Sequence, residues 1–387
     1  MTRIDQKEGT VDFSYSEEQQ MLQDSVQKFV QRHYDFDARR KILGSSEGFS
    51  HEYWQLFAEL GWLTVPFRAE DDGFGGLATD LMVVMEEFGK AMLVEPFLAT
   101  AVLGGGLISE LGTPEQKAAA LPALMSGSLQ LAAALAEASS RYNLASVATV
   151  ARRDGGHYLV NGAKTLVLNA PAAHRLLVSV RTAGDALDPG GVSLLSVDRD
   201  AEGVHLQAYA TVDGFQAAEV SFDNVRVPVE ARLGEEGAAF PALEKVVDRA
   251  SLAICAEAIG AMDSLLAKTV EYTKTRRQFG TPIAAFQALQ HRMADMFIEC
   301  QLARSIVMMA AMTLDSNVDA VQKQKAVSAA KSRVGRAIRK VGQEAVQLHG
   351  GIGITDELDV GHLFKRVTAI ETMFGNTDFH TARFARL

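Results

Sequence analysis

The sequence predicts a mainly α protein with a central all-β domain. Three observations carry that prediction. Apolar residues recur at helical spacing through the first third. Near residue 128 short β-prone runs take over, separated by Gly, Pro and Asp. From about 238 the helical period returns and persists. The order helices, strands, helices is unlike the alternation of a doubly wound dinucleotide fold. At 387 residues the chain exceeds one ordinary core. The domains are drawn as 1–127 (helical), 128–232 (β) and 233–387 (helical).

Each element has its own signal. Ser16 opens the first helix, with Gln19 three residues on as in a capping box. Met21, Leu22, Val26, Phe29 and Val30 then share one face. Trp54, Phe57 and Ala58 repeat the period until Gly61 stops it. The acids and glycines of EDDGFGGLATD mark a loop. Residues 79–110 hardly alternate in polarity and read as buried helix. Thr113 caps a helix over 112–127, with Pro114 in its first turn. Within the β unit, Asn161-Gly162 between two β-prone runs predicts a hairpin. RLLVSVRT, VSLLSVD, VHLQAY and AEVSFDNVRVP predict further strands. Long helices follow over 240–275, 283–314 and 318–348, joined at FGTP and LDSNVD. The third carries Ala326, Ala330, Val334, Ala337, Ile338, Val341 and Ala345 on one stripe. Its Lys and Arg residues lie mostly off that stripe, on a solvated face.

Composition narrows the function classes. Apolar residues make up 48% and charged residues 22%, as in a soluble globular protein. A net charge of −10 argues against nonspecific nucleic-acid binding, which needs a basic surface. Cys255 and Cys300 show neither pairing nor metal spacing, which fits a reducing, cytoplasmic setting. The nine histidines are scattered and no metal site is expected. MTRIDQKEGTVDF lacks the apolar core of a secretory signal. No stretch approaches 18 uninterrupted apolar residues, so no membrane span is expected. No GxGxxG follows a strand and no P-loop occurs.

Three local motifs are YTKTRRQFG (272–280), FQALQHRMADM (286–296) and AVQLHGGIGITDE (345–357). Together with GTPEQKAAALPALMSG, FDNVRVP and LGEEGAAF they make the chain resemble the acyl-CoA dehydrogenase family, from Tyr15 to the end. The resemblance implies a helical N-domain, a β-barrel-like middle domain and a C-terminal four-helix bundle. It implies FAD at a subunit interface, an acyl-CoA thioester substrate dehydrogenated across Cα–Cβ, and electron-transfer flavoprotein as acceptor. It also implies that Arg276, Phe279, Gln347 and Gly351 serve an FAD held mainly by the neighbouring subunit. Gln287, Gly350 and Thr377 join them as expected cofactor contacts. Their chemistry agrees. Arg276 has the planar fork that suits a pyrophosphate. Phe279 can pack on a flat ring, and Gln287 and Gln347 can hydrogen-bond a cofactor. Gly350 and Gly351 let backbone approach a ligand closely. Without the resemblance they read as a surface arginine, a core phenylalanine and a helix C-cap.

Two departures from the family pattern stand out. Family members commonly read Tyr-Glu-Gly-Thr where this chain has Phe374-Gly375-Asn376-Thr377. The usual catalytic carboxylate therefore falls on Gly375. A positioned general base contributes on the order of 10² to 10⁴ in rate. Some relatives carry the carboxylate just before an Arg on an early bundle helix, which makes Asp248, before Arg249, the candidate base. The alternative is an Asp paired with a bundle Arg. Glu371 and Asp378 lie nearby but off position. In the β unit, Ala136-Glu137-Ala138-Ser139 replaces Thr-Glu-Pro-Gly, and KTLVLN replaces Lys-x-Trp-Ile-Thr-Asn, with Leu166 and Leu168. The flavin-facing groups of this chain's own pocket are missing, whereas the motifs that reach a neighbour's FAD are kept. That asymmetry suggests one half of a heterotetramer with a homologous subunit. The ending is most similar to the small subunit of heteromeric pimeloyl-CoA or steroid side-chain acyl-CoA dehydrogenases. A self-sufficient homo-oligomer using Asp248 and a non-catalytic acyl-CoA-binding scaffold are the other two readings.

Overall fold

The computed structural model describes residues 15–387. The N-terminal stretch expected to lack a secretory core lies outside the described residues. Helix α1 (Glu17–His33) starts at the expected capping box. Ser16 Oγ accepts from the Gln19 amide at 3.2 Å and Gln19 Oε1 accepts from the Ser16 amide at 3.1 Å. Leu22, Val26 and Phe29 are buried, but Met21 is 73% exposed and leaves the expected face. Helices α2 (Phe36–Leu43) and α3 (His51–Glu59) follow, and α3 buries Trp54 and Phe57. Helix α4 (Ala78–Ala91) is buried along almost its whole length.

The single buried helix expected over 79–110 does not form. Met92 takes a positive φ of 54°, and Pro96 withholds an amide and pushes Glu95 out of helical conformation. The chain resumes as a wide π-helical stretch, Leu98–Gly105, before α5 (Gly106–Leu111). Helix α6 (Pro114–Met125) has the predicted Thr113 cap, its capping box with Gln116, and Pro114 in its first turn.

Eight strands follow: β1 (Leu131–Ala134), β2 (Val150–Asp154), β3 (His157–Leu168), β4 (Arg175–Arg181), β5 (Val192–Asp198), β6 (Val204–Ala210), β7 (Gln216–Pro228) and β8 (Arg232–Leu233). They form one sheet in the order β6-β7-β3-β2-β4-β5-β8, with β1 parallel to β4. Tyr158, Val160, Leu176, Val178, Leu195 and Val220 pack its core. The expected hairpin at Asn161-Gly162 is a correction: both residues lie inside β3, at a register shift against β7. Gly162 has φ +143°, and a Cβ there would stand 2.6 Å from Thr149 Cα. The glycine serves a bulge and a close approach. The actual turn is Gly155-Gly156, between β2 and β3.

Beyond the sheet run α7 (Phe240–Thr275), a short hairpin of β9 (Arg277–Gln278) and β10 (Thr281–Pro282), α8 (Gln287–Asp315), α9 (Ala320–His349), α10 (Asp359–Thr372) and α11 (Thr377–Arg386). Helix α8 starts later than expected because its predicted first residues form a 3-10 turn, Ile283–Ala285, with Phe286 as the N-cap. The chain divides into two compact units. One holds the described residues up to Arg40, Ala78–Leu93 and Ser251–Leu387; the other holds Lys41–Leu77 and Val94–Ala250. In the first unit α4 and α7 meet at glycines. A Cβ on Gly89 would fall 1.9 Å from the Glu257 carbonyl oxygen, and one on Gly260 1.8 Å from that of Glu86. Beside this contact Arg366 holds Glu257 through two buried hydrogen bonds of 2.6 and 2.7 Å.

Helices α7 and α8 each contain an apolar 18-residue window. That of α7 is 78% buried, as befits a core helix, but that of α8 is only 28% buried. Phe297, Ile298, Leu302 and Met309 of α8 are each about half exposed. On α9 the predicted stripe is buried from Ala330 to Ala345, with Ala326 only half-buried.

Candidate functional site

The segment after α7 is a two-residue hairpin turn. Gln278 pairs with Thr281, and Phe279 and Gly280 form the tip with φ of +52° and +81°. Two positive φ angles are what such turns require, but they suit Gly or Asn rather than Phe. Phe279 is 92% exposed and touches Phe286 edge-on at 6.1 Å between centroids. A strained, exposed aromatic ring is a poor stability element and a good ligand surface. Arg276 enters this hairpin, its amide donating to the Tyr272 carbonyl at 2.8 Å. Its side chain is exposed and has no hydrogen-bond or ion-pair partner among the described residues. Gln287, the first residue of α8, is exposed as well.

A second exposed segment is the end of α9. Gln347 is exposed, and Gly350, at φ +67°, breaks the helix. A Cβ on Gly350 or Gly351 would meet nothing within 4 Å. These glycines therefore do not relieve crowding inside the chain; they leave backbone open on its surface. Tyr272 and His349 bring the two segments together, with rings stacked at 4.4 Å and 25°. Arg276, Phe279, Gln287, Gln347, Gly350 and Gly351 thus line one edge of this unit. Its free guanidinium, uncovered ring and bare backbone fit the pyrophosphate and flat ring system of a flavin dinucleotide.

Thr377 lies elsewhere. Its Oγ1 donates to Glu371 Oε1 at 3.0 Å, and it sits where a Cβ on Gly335 would be only 2.3 Å away. Gly335 precedes Gln347 by twelve positions on α9, about 18 Å at 1.5 Å per residue. Glu371 also accepts the Thr377 amide at 3.2 Å, which commits it to the start of α11.

The turn that carries Gly375 is closed. Phe374 and Gly375 have φ of +56° and +116°. A Cβ at position 375 would fall 2.4 Å from Phe379 Cδ1 and 2.7 Å from His380 Nε2. The side-chain direction at 375 therefore points into packed protein. Buried Lys331 donates to the carbonyls of Ile370, Glu371 and Gly375 at 2.9, 3.0 and 2.7 Å. It closes α10 and this turn together, and burial pushes its pKa down to about 8. His380 is also buried; in the neutral ring Nε2 donates to the Phe374 carbonyl at 3.1 Å and Nδ1 accepts from Ser328 Oγ at 3.4 Å. Burial, reinforced by the Lys331 charge, pulls its pKa down to about 3. Nearby Cys255 is fully buried and its thiol pKa is pushed up to about 12.

Lys331, His380, Tyr272 and His349 were not singled out from the sequence. Lys331 adjoins the apolar stripe of α9, which was the available signal. His349 stood inside a motif read only for its glutamine and glycines.

In the other unit, Asp248 is buried on α7. The neighbouring Arg249 donates through Nη2 to the Gly76 carbonyl at 3.0 Å. In the sheet, Glu137 accepts from the amides of Ala148 and Thr149, the Thr149 hydroxyl and the buried Lys164 ammonium, the last at 2.8 Å. Burial lowers the Lys164 pKa to about 8. Beyond Lys164, β3 bulges outward and Leu166 is half exposed at φ +50°. The Thr165 hydroxyl donates to Glu219 Oε1 at 2.8 Å and the Leu166 amide at 3.3 Å. Tyr209 donates to the same oxygen at 2.8 Å. The donors this bulge could offer a ligand are already held by Glu219.

Family models cover most of the chain: acyl-CoA dehydrogenase N-terminal domain at 16–128, middle domain at 132–225 and C-terminal domain at 238–387. The chain belongs to the acyl-CoA dehydrogenase family. It is 32% identical to acyl-CoA dehydrogenase FadE12 of Mycobacterium tuberculosis, over 90% of each chain. It is 28% identical to caffeyl-CoA reductase-Etf complex subunit CarC of Acetobacterium woodii, over 91% of this chain and 93% of that one. Among solved structures, a variant of the Tcur3481-Tcur3483 steroid ACAD superposes with a TM-score of 0.85 at 28% identity, over 96% of this chain and 97% of that one. The mainly α architecture with a central sheet is that of the family. This acyl-CoA dehydrogenase is an oxidoreductase whose cofactor is FAD.

Proposed function

We propose that this chain is one subunit of a heteromeric acyl-CoA dehydrogenase and completes an FAD site centred on a homologous partner. The observation that carries the reading is the contrast between its two segments. The edge of Arg276, Phe279, Gln287, Gln347, Gly350 and Gly351 is exposed and uncommitted. The turn at Gly375 has no room for a carboxylate.

In this arrangement Arg276 neutralises the dinucleotide's pyrophosphate, Phe279 covers its flat surface, and Gly350 and Gly351 admit backbone contact. Thr377, on α11 beside Gly335, lies about 18 Å along the α9 direction from Gln347 and so off that edge. Bound FAD supplies the hydride acceptor for the β-carbon. The α-proton goes to a carboxylate that this chain does not provide at position 375. The half-exposed apolar face of α8 gives such a partner a surface to bury. The steroid relative's name joins two designations, which supports an unlike pair, and CarC's name supports an electron-transfer flavoprotein as acceptor. The substrate class is an acyl-CoA from fatty-acid or steroid side-chain breakdown, in the cytoplasm.

The test is expression of the chain alone and together with a homologous acyl-CoA dehydrogenase encoded beside it. Visible flavin absorption and turnover are expected only from the pair. Full flavin occupancy and turnover by the chain alone overturn the reading. A second reading keeps Asp248 as the base of a self-sufficient homo-oligomer. It is favoured by the burial of Asp248 on α7. It requires that Asp248→Asn lower turnover by about 10² or more.

A further inference from the structure

The two cofactor-facing segments are 70 or so residues apart in sequence. One side-chain contact joins their roots. Tyr272 lies one helical turn before Arg276 and receives its amide hydrogen bond. His349 is the last residue of α9 and adjoins Gly350. The rings stack at 4.4 Å and 25°.

The imidazole is held for this contact. His349 is buried, and its Nδ1 donates to the Ala345 carbonyl at 2.8 Å, one turn back. That bond sets the ring plane and the tautomer. Burial lowers its pKa, so the ring is neutral near pH 7 and stacks without a charge. From this contact Arg276 is four residues onward, about 6 Å along the helix, and Gly350 is the next residue on the other side. A dinucleotide that touches both segments needs their spacing held to a fraction of an ångström.

We propose that the Tyr272–His349 stack is a positioning brace that sets the Arg276–Phe279 hairpin against the Gly350–Gly351 turn, so that one FAD meets both. Neither ring needs to touch the dinucleotide. This rests on the reading of that edge as the FAD contact.

The experiment measures the FAD dissociation constant of the deflavinated assembly, together with its thermal midpoint before FAD is added. The variants are Tyr272→Ala, Tyr272→Phe, His349→Leu, Arg276→Ala and the Tyr272→Ala/Arg276→Ala pair. Tyr272→Ala and His349→Leu are each expected to weaken FAD at least tenfold, well beyond what their modest fall in the apo midpoint accounts for. Tyr272→Phe, which keeps the ring, is expected to stay within twofold. The double variant is expected to bind scarcely worse than Arg276→Ala alone, because a misplaced arginine has little left to lose. If Tyr272→Ala and His349→Leu bind FAD normally while Arg276→Ala does not, the brace is wrong and the cofactor edge stands. If Arg276→Ala also binds normally, the cofactor edge itself is wrong. A loss of affinity matched by a fall in the apo midpoint, or a fully additive double variant, reduces the stack to ordinary packing and overturns the proposal.

Discussion

Two turns in the C-terminal helical region have similar backbones and opposite surroundings. The Phe279-Gly280 tip and the Phe374-Gly375 turn each set a phenylalanine and then a glycine at positive φ. At the first, the ring is 92% exposed and the neighbouring Arg276 has no side-chain partner among the described residues. At the second, Lys331 and His380 hold three carbonyls and a fourth, and the glycine faces packed atoms. Local conformation alone does not mark a functional turn. What differs is whether the polar groups around it are satisfied from within the chain. The open turn can serve a ligand, whereas the closed one is a structural joint between α9, α10 and α11.

Filling the closed turn is expected to have the largest effect. Gly375→Ala combines a forbidden φ with contacts of 2.4 and 2.7 Å, and should cost about 3 kcal/mol in a denaturant titration. Gly375→Glu should be no milder and should restore no dehydrogenation. Gly351→Ala meets open space and should shift stability by less than about 0.5 kcal/mol. Equal effects at the two glycines would erase the comparison.

Acid should separate the turns next. The folded pKa of His380 is depressed to about 3, below its ordinary 6.5. Between those values the unfolded chain binds the extra proton, so stability is full above pH 6.5 and falls as pH drops toward 3. The drop approaches about 1.4 kcal/mol for each pH unit in the middle of that window. In His380→Gln this part of the slope should disappear from urea midpoints measured across the window. A slope unchanged by the substitution would mean that His380 already titrates with solvent.

At the open turn, effects should fall on the ligand instead of the fold. Arg276→Ala should weaken FAD binding by about tenfold or more, from the loss of a charge-assisted contact of about 1.5–3 kcal/mol. Its thermal midpoint without FAD should not move. The smallest effect has the opposite sign. Phe279→Gly removes an exposed ring held at φ +52° and should stabilise the apo protein by up to about 1 kcal/mol while weakening FAD. A loss of stability instead would show that the ring packs within the chain.

Much of the plan was legible in the residues because its causes are local. Ser16 with Gln19, and Thr113 with Gln116, meet across one helical turn, so their capping boxes follow from spacing. The ends of α7 and the strands β4 to β7 followed from period and punctuation. Local signals also misled where distant packing intervened. Asn161-Gly162 carries a hairpin signature, yet Thr149 crowds Gly162 and the strand runs straight through. The break between α4 and α5 was hidden because apolar residues on all sides of a buried segment leave no period to read. Lys331 read as one more solvated lysine, because its acceptor at Gly375 lies 44 residues away.

The sequence by itself determined the order of helices and strands, the caps, the family and the glycine at position 375. Each of these depends on residue types at short spacing, or on residue identity alone. Only the tertiary structure decided that Gly375 faces Phe379 and His380, that Glu371 and Thr377 satisfy each other, and that Tyr272 stacks on His349. Those facts depend on which side chains fill the space between elements far apart along the chain. Volume and hydrogen-bond partners are settled there by packing, which no short window of residues encodes.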